Sequence, residues 1–115
     1  MQLQFKGCYI EPILRGSKTQ TLRAVLGAGA RIGADLTFAN GYRPHSLFAR
    51  STLVAIDQVA VMDLSESDAV AGGLESRDAM LSALAKLYPT AQSLWRLRWD
   101  PIIRVRSFAS PLSRR

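Results

Sequence analysis

A chain of 115 residues, 48% hydrophobic and 21% charged, has room for one domain with its own core and excludes wholesale disorder. Fifteen Lys and Arg against nine Asp and Glu leave a net charge of +6, which points to anionic partners rather than acidic-surface functions. A single cysteine excludes an internal disulfide, and no apolar run approaches membrane-spanning length.

One Cys and one His cannot by themselves make a transition-metal site, so no metal and no cofactor is expected. With no signal peptide evident, a reducing cytoplasmic setting is expected, with Cys8 as a buried free thiol. Twelve of the fifteen basic residues are Arg, suited to bidentate phosphate contacts. They are unevenly placed. Residues 1–55 carry seven bases against Glu11 and Asp35, and residues 86–115 carry seven against Asp100 alone. If the two ends meet in the fold, they make a positive surface of the kind that meets nucleic acid.

Leu3 and Phe5 alternate with Gln2, Gln4 and Lys6, which predicts an opening strand. A first helix follows over Gly7 to Arg15, where Ile10, Ile13 and Leu14 recur at helical spacing and Pro12 is tolerated in a first turn. Gly16 ends it, and Thr19 to Arg23 reads as a second strand. Alternation sends Thr19, Thr21 and Arg23 to one face and Gln20 and Leu22 to the other. Next to Lys18 in the turn, those hydrogen-bonding groups are poor core material and suit an anion or a polar ring. The competing interpretation is a solvated turn leading into an edge strand.

The Gly- and Ala-rich stretch Ala24 to Ala34 is a flexible crossover, and Asp35 to Phe38 a third strand closed by the turn Asn40-Gly41. Tyr42 to Ser46 reads as a polar loop holding His45, a lone candidate general base, and Arg43. Phe48 to Val61 is a β-type run long enough to require a bend or bulge around a barrel corner. Ser65-Glu66-Ser67-Asp68 forms a capping box opening a short helix to about Ala71, broken by Gly72-Gly73. Ser76 caps a second helix, Arg77 to Leu87, with Met80, Leu81, Leu84 and Leu87 as one apolar stripe. Leu94 to Trp99 and Ile102 to Phe108 are two further strands. Residues 110–115 form a disordered basic tail, leaving a single domain over 1–109. Trp95 and Trp99 share one strand face, with Arg96 and Arg98 on the other. Arg104 and Arg106 also share a face, and four guanidiniums on adjoining strands would call for phosphate. The sum is an α+β chain of five or six mostly antiparallel strands with about three helices, favouring a small closed or partly closed barrel.

The string Pro12-Ile13-Leu14-Arg15-Gly16-Ser17-Lys18-Thr19-Gln20-Thr21-Leu22-Arg23 resembles the signature of the ASCH domain family. Phe5 before the first helix, Gly33-Ala34-Asp35-Leu36, Leu87-Tyr88-Pro89 and Trp99 extend the likeness to about Leu3 through Arg106. The resemblance implies a PUA-like β-barrel with a cleft that binds or processes RNA or modified nucleosides. Members of that family have been assigned as RNA-binding modules, as ribonucleases, and as amidohydrolases that deacylate N4-acetylcytidine through a Lys, a Thr and a Glu. Lys18 and Thr21 fall on the first two positions, while the Glu position falls on Gly72, with Glu66 and Glu75 nearby. The resemblance therefore implies a site of Lys18 and Thr21; together with the polar strand face and the charge pattern, the expected RNA or nucleotide contacts are Thr19, Arg23, Arg43, Arg96, Arg98, Arg104 and Arg106. The competing expectations are a small amidohydrolase with Thr21 as nucleophile and Lys18 as its base, and a protein-interaction module for an acidic partner. The oligomeric state is not encoded in any feature of the sequence.

Overall fold

The computed structural model describes residues 1–41 and 43–105, without the side chains of 43–45. The chain opens with strand β1 (Gln2–Phe5), a 3-10 turn (Gly7–Tyr9) and helix α1 (Ile10–Leu14). Strands β2 (Gln20–Arg23), β3 (Asp35–Asn40) and β4 (Arg43–Ala60) follow. Helices α2 (Glu66–Ala71) and α3 (Arg77–Leu87) come next, before β5 (Ser93–Trp99) and β6 (Ile103–Arg104). No helix among the described residues is long and apolar enough to cross a membrane.

The strands form one curled sheet in the order β1-β3-β4-β5-β2, with β6 also on β4. Only β1 and β3 run parallel; the other pairs are antiparallel. β4 makes the curl possible. Its first half pairs with β3 and its second half with β5, and the register shifts between Leu53 and Ala55 where it changes partners. A bulge adds local twist, so one long strand can serve both halves of a curved sheet. The expected bend is therefore present, but the strand begins at Arg43, where the sequence suggested a loop.

The concave face is filled by Leu3, Phe5, Leu36, Phe38, Leu53, Leu97 and Trp99, packed on Ile13 of α1. Phe38 meets Trp99 edge-on, with centroids 4.9 Å apart and planes at 78°, and stacks on Phe5 at 5.8 Å. Edge-on contact aligns positive ring edges with negative faces and adds to the gain from burial. A second core joins Leu64, Ala69, Met80, Leu84 and Leu94 beneath the two later helices. The helix boundaries follow from their caps. Ser65 and Asp68 form the reciprocal capping box of α2, and Ser76 accepts from the Ala79 N–H at the start of α3.

Two further expectations are corrected. Cys8 is exposed, because the 3-10 turn carries it on the solvent side instead of into the core. β6 is confined to Ile103–Arg104 among the described residues and pairs with Ala49 and Arg50 of β4, so Arg104 is not on a strand adjoining Arg96 and Arg98. The partly closed form of the expected barrel is the one observed: the sheet is curled, and β1 and β2 lie at its two ends without pairing with each other. Arg106 and the tail 110–115 lie outside the described residues, as do Tyr42 and the side chains of Arg43 and His45.

Candidate functional site in the open seam

The local fold sets Lys18 in place before any ligand is considered. Gly16, at φ 84°, turns the chain out of α1, and the backbone N–H groups of Ser17 and Lys18 both donate to the Pro12 carbonyl. The Thr19 N–H then donates to the Ala71 carbonyl at 2.8 Å, tying the start of β2 to the end of α2. Gly73, at φ 84°, lies against the Lys18 stem; a Cβ there would come within 3.2 Å of the Lys18 Cδ. The lysine is thus threaded between a strand and a helix end, and is only 4% exposed.

Its Nζ donates to the Gln20 carbonyl at 2.9 Å and to the Gly72 carbonyl at 2.7 Å. The faces of Tyr9 and Phe5 lie 4.7 and 5.5 Å away. No carboxylate pairs with it among the described residues. Burial, reinforced by the Arg23 guanidinium, pulls the ammonium down to about 7. Thr21, 7% exposed, accepts at 3.3 Å from Arg23 Nε, while Arg23 Nη2 donates to the Gln4 carbonyl of β1. Arg23 also lies over the Phe5 ring, 5.0 Å from its centroid. It is a strap across the seam, and burial lowers its own pKa.

The backbone phase of both edges follows from single bonds. Trp99 donates to the Thr19 carbonyl, so Thr21 and Arg23 turn their backbone groups toward β5, and Gln20 and Leu22 turn theirs outward. Gly41 donates to the Phe5 carbonyl, which turns the groups of Gln4 outward from β1. The Lys18 bond to Gln20 and the Arg23 bond to Gln4 agree with this phase. The Gln4 N–H and both backbone groups of Leu22 thus face away from the paired strands, with no neighbouring strand to meet them among the described residues.

These elements line a cavity of about 590 Å³ together with Met80 and Leu84 of α3 and Tyr88 just after it, which close one side. Lys18, Thr21 and Arg23 all border it. Gly72 borders it too, with only a backbone carbonyl to offer. Neither Glu66 nor Glu75 is in the lining. Glu66 instead accepts from the Arg77 N–H at the start of α3.

The remaining sequence candidates fall elsewhere. Thr19 is exposed and outside the lining, as are Arg98 and Arg104. Arg96 is already neutralised: it bonds both Asp57 and Asp68, and those bonds raise its pKa further. That leaves no unpaired guanidinium there for a phosphate. Behind the pocket floor lies a network the sequence reading missed. Gln20, 2% exposed, donates to Asp68 and accepts from Arg98. Burial alone would raise the Asp68 carboxyl, but hydrogen bonds from Gln20, Ser65 and Arg96 outweigh it and hold it at about 2. The signal for Gln20 was its place on the same strand face as Leu22, which makes a buried amide that needs partners. No group of His, Cys, Asp and Glu among the described residues is arranged to hold a metal ion.

No family model matches the chain, and no curated protein does. Solved structures do. The crystal structure of ASCH from Zymomonas mobilis aligns at TM-score 0.73 and 15% identity, over 92% of this chain and 70% of that one. A mutant of the same protein aligns at 0.69 and 17%, over 93% and 73%. A DUF984 protein from Enterococcus faecalis aligns at 0.63 and 16%, over 90% and 70%. The curled sheet with its three helices is the fold seen in these ASCH and DUF984 structures.

Proposed function

We propose that the chain binds a nucleobase, presented as a modified nucleoside or as a nucleotide of RNA, in the seam pocket between β1 and β2. The observation that carries this reading is the convergence on one cavity of a buried ammonium, a hydroxyl and two unpaired strand edges, beside aromatic rings. A base has flat apolar faces and a polar edge. Tyr9 and Tyr88 offer stacking surface, while the Leu22 backbone, Thr21 and Lys18 offer donors and acceptors to the edge. The cavity is within the volume range of small-molecule sites. Amide resonances test it: N4-acetylcytidine is expected to shift the Gln4, Thr21 and Leu22 amides. Shifts confined to the face around Arg50 and Arg104 would refute it.

A second reading, deacylation of N4-acetylcytidine, is favoured by one specific observation. Lys18 is brought to about 7 without a carboxylate partner, which makes part of it neutral and basic at physiological pH. In that reaction the Thr21 oxygen attacks the acetyl carbonyl carbon while Lys18 takes the hydroxyl proton. Collapse of the tetrahedral intermediate breaks the C–N bond, and the proton returns from Lys18 to the leaving cytidine amine. Water then hydrolyses the acetyl-threonine, releasing acetate. With glycine at position 72, no carboxylate assists these transfers, so turnover is expected to be slow. Acetate release abolished by Thr21→Ala supports this reading; acetate release unchanged by it excludes Thr21 as nucleophile.

A further inference from the structure

The seam pocket carries more positive charge than recognition of a neutral base needs. Among the described residues four cations border it, Lys6, Lys18, Arg23 and Lys86, against one carboxylate, Asp68. That carboxylate is committed to Arg96, Gln20 and Ser65. Lys18 and Arg23 are likewise committed, to carbonyls and to Thr21. Lys6 and Lys86 differ. Both are exposed, neither forms an ion pair among the described residues, and they come from different places, the residue between β1 and the 3-10 turn and the last turn of α3. Two uncommitted ammonium groups on the rim of a pocket whose floor is polar and whose walls are aromatic leave a dianionic group unmatched.

Resting on the nucleobase reading above, we propose that the ligand is a nucleotide rather than a free nucleoside, with its phosphate held at the rim by Lys6 and Lys86. Arg96, Arg98 and Arg104 are not the phosphate contacts in this arrangement. Arg96 is neutralised by Asp57 and Asp68, and Arg98 and Arg104 lie outside the pocket lining. Lysine suits the position, because a flexible, hydrated point charge at a rim can follow a phosphate that is either terminal or part of a strand.

Titration calorimetry with N4-acetylcytidine, its 5′-monophosphate and a trinucleotide carrying it at the centre tests the assignment. The monophosphate is expected to bind about tenfold or more tightly than the nucleoside, since a charge-assisted contact is strong. The Lys6→Gln/Lys86→Gln double variant is expected to erase that advantage while nucleoside affinity stays within about twofold, and added salt to shrink it. A trinucleotide bound more tightly than the monophosphate identifies a strand as the source of the phosphate; the reverse identifies a mononucleotide. Equal affinity for nucleoside and monophosphate overturns the phosphate site and leaves the nucleobase reading standing. An advantage that survives in the double variant also overturns it, placing the phosphate elsewhere. Failure of all three ligands to bind overturns the nucleobase reading itself.

Discussion

The Lys18 ammonium and the Gly72 carbonyl meet at 2.7 Å across 54 positions of sequence, and that bond fixes the pocket floor to the C-terminus of α2. The carbonyl carries the partial negative charge of a helix end, so the lysine is held by dipoles where a carboxylate would otherwise be required. A cation held only by dipoles and π faces in a buried site is easily neutralised. Burial, with the Arg23 guanidinium nearby, is the physical origin of its lowered pKa, and it makes Lys18 the titrating centre of the site.

Folding stability is expected to report that titration. The ammonium falls from an ordinary 10.5 to about 7 on folding, so between these values the unfolded chain binds more protons than the folded one. Stability contributed through Lys18 therefore rises as pH increases from about 7 to about 10, by up to about 1.4 kcal/mol per pH unit. Urea denaturation of the wild type and of Lys18→Met across that window checks it. The Met variant is expected to lack the rise; a parallel dependence would refute the burial of Lys18.

The network behind the floor is expected to act in acid. Asp68 is held at about 2, below its ordinary 3.8, so its contribution is complete above about pH 4 and is lost as pH falls toward 2. Asp68→Ala leaves Arg96 and Gln20 short of a partner and is expected to cost about 3 kcal/mol at neutral pH. Asp57→Ala, at a carboxylate roughly half exposed, is expected to cost about 1 kcal/mol or less. Chemical denaturation orders the two.

Gly73→Ala combines two penalties. The residue would occupy φ 84°, and its Cβ would press on the Lys18 stem at 3.2 Å. A loss of about 1–2 kcal/mol is expected, together with weaker ligand binding, because the displaced stem moves the ammonium. Gly29→Ala has φ 79° but no atom within 4 Å of the new Cβ, and is expected to lose stability without losing binding. Measuring stability and affinity for both variants separates strain from displacement.

Gly72→Glu is expected to be tolerated and to raise acetate release from N4-acetylcytidine. The backbone there is ordinary, at φ −82°, although the Cβ must ease away from the Asp68 carbonyl at 3.1 Å. A carboxylate on the pocket border can take up and return protons that Lys18 alone must now carry, a step worth roughly 100-fold or more where such groups act. Steady-state acetate assays of the variant and the wild type check it; an inactive, folded variant would show that position 72 cannot deliver a carboxylate to the reacting atoms.

Local signals in the sequence were read reliably where the cause of structure is local. Ser76 and Pro89 bracket α3, and the Ser65–Asp68 box opens α2, because capping bonds span three residues. The turn at Gly16 and the inward reach of Lys18 were legible for the same reason. What escaped was long-range. Arg96 alternates like a surface residue, and only the pairing of β5 with β4 brings Asp57 opposite it. Asp68 read as a cap and is one, yet the same carboxylate also anchors Gln20 of β2. The seam itself could not be read, since an unpaired edge is a property of sheet order, not of any strand.

The most direct test of the nucleobase pocket is calorimetric titration of N4-acetylcytidine into the wild type and into Thr21→Val, which keeps the shape of the side chain and removes its hydroxyl. Saturable binding by the wild type, weakened about tenfold or more in the variant, is the expected result. Equal affinity in the two proteins, or no binding to the folded wild type, would contradict the account.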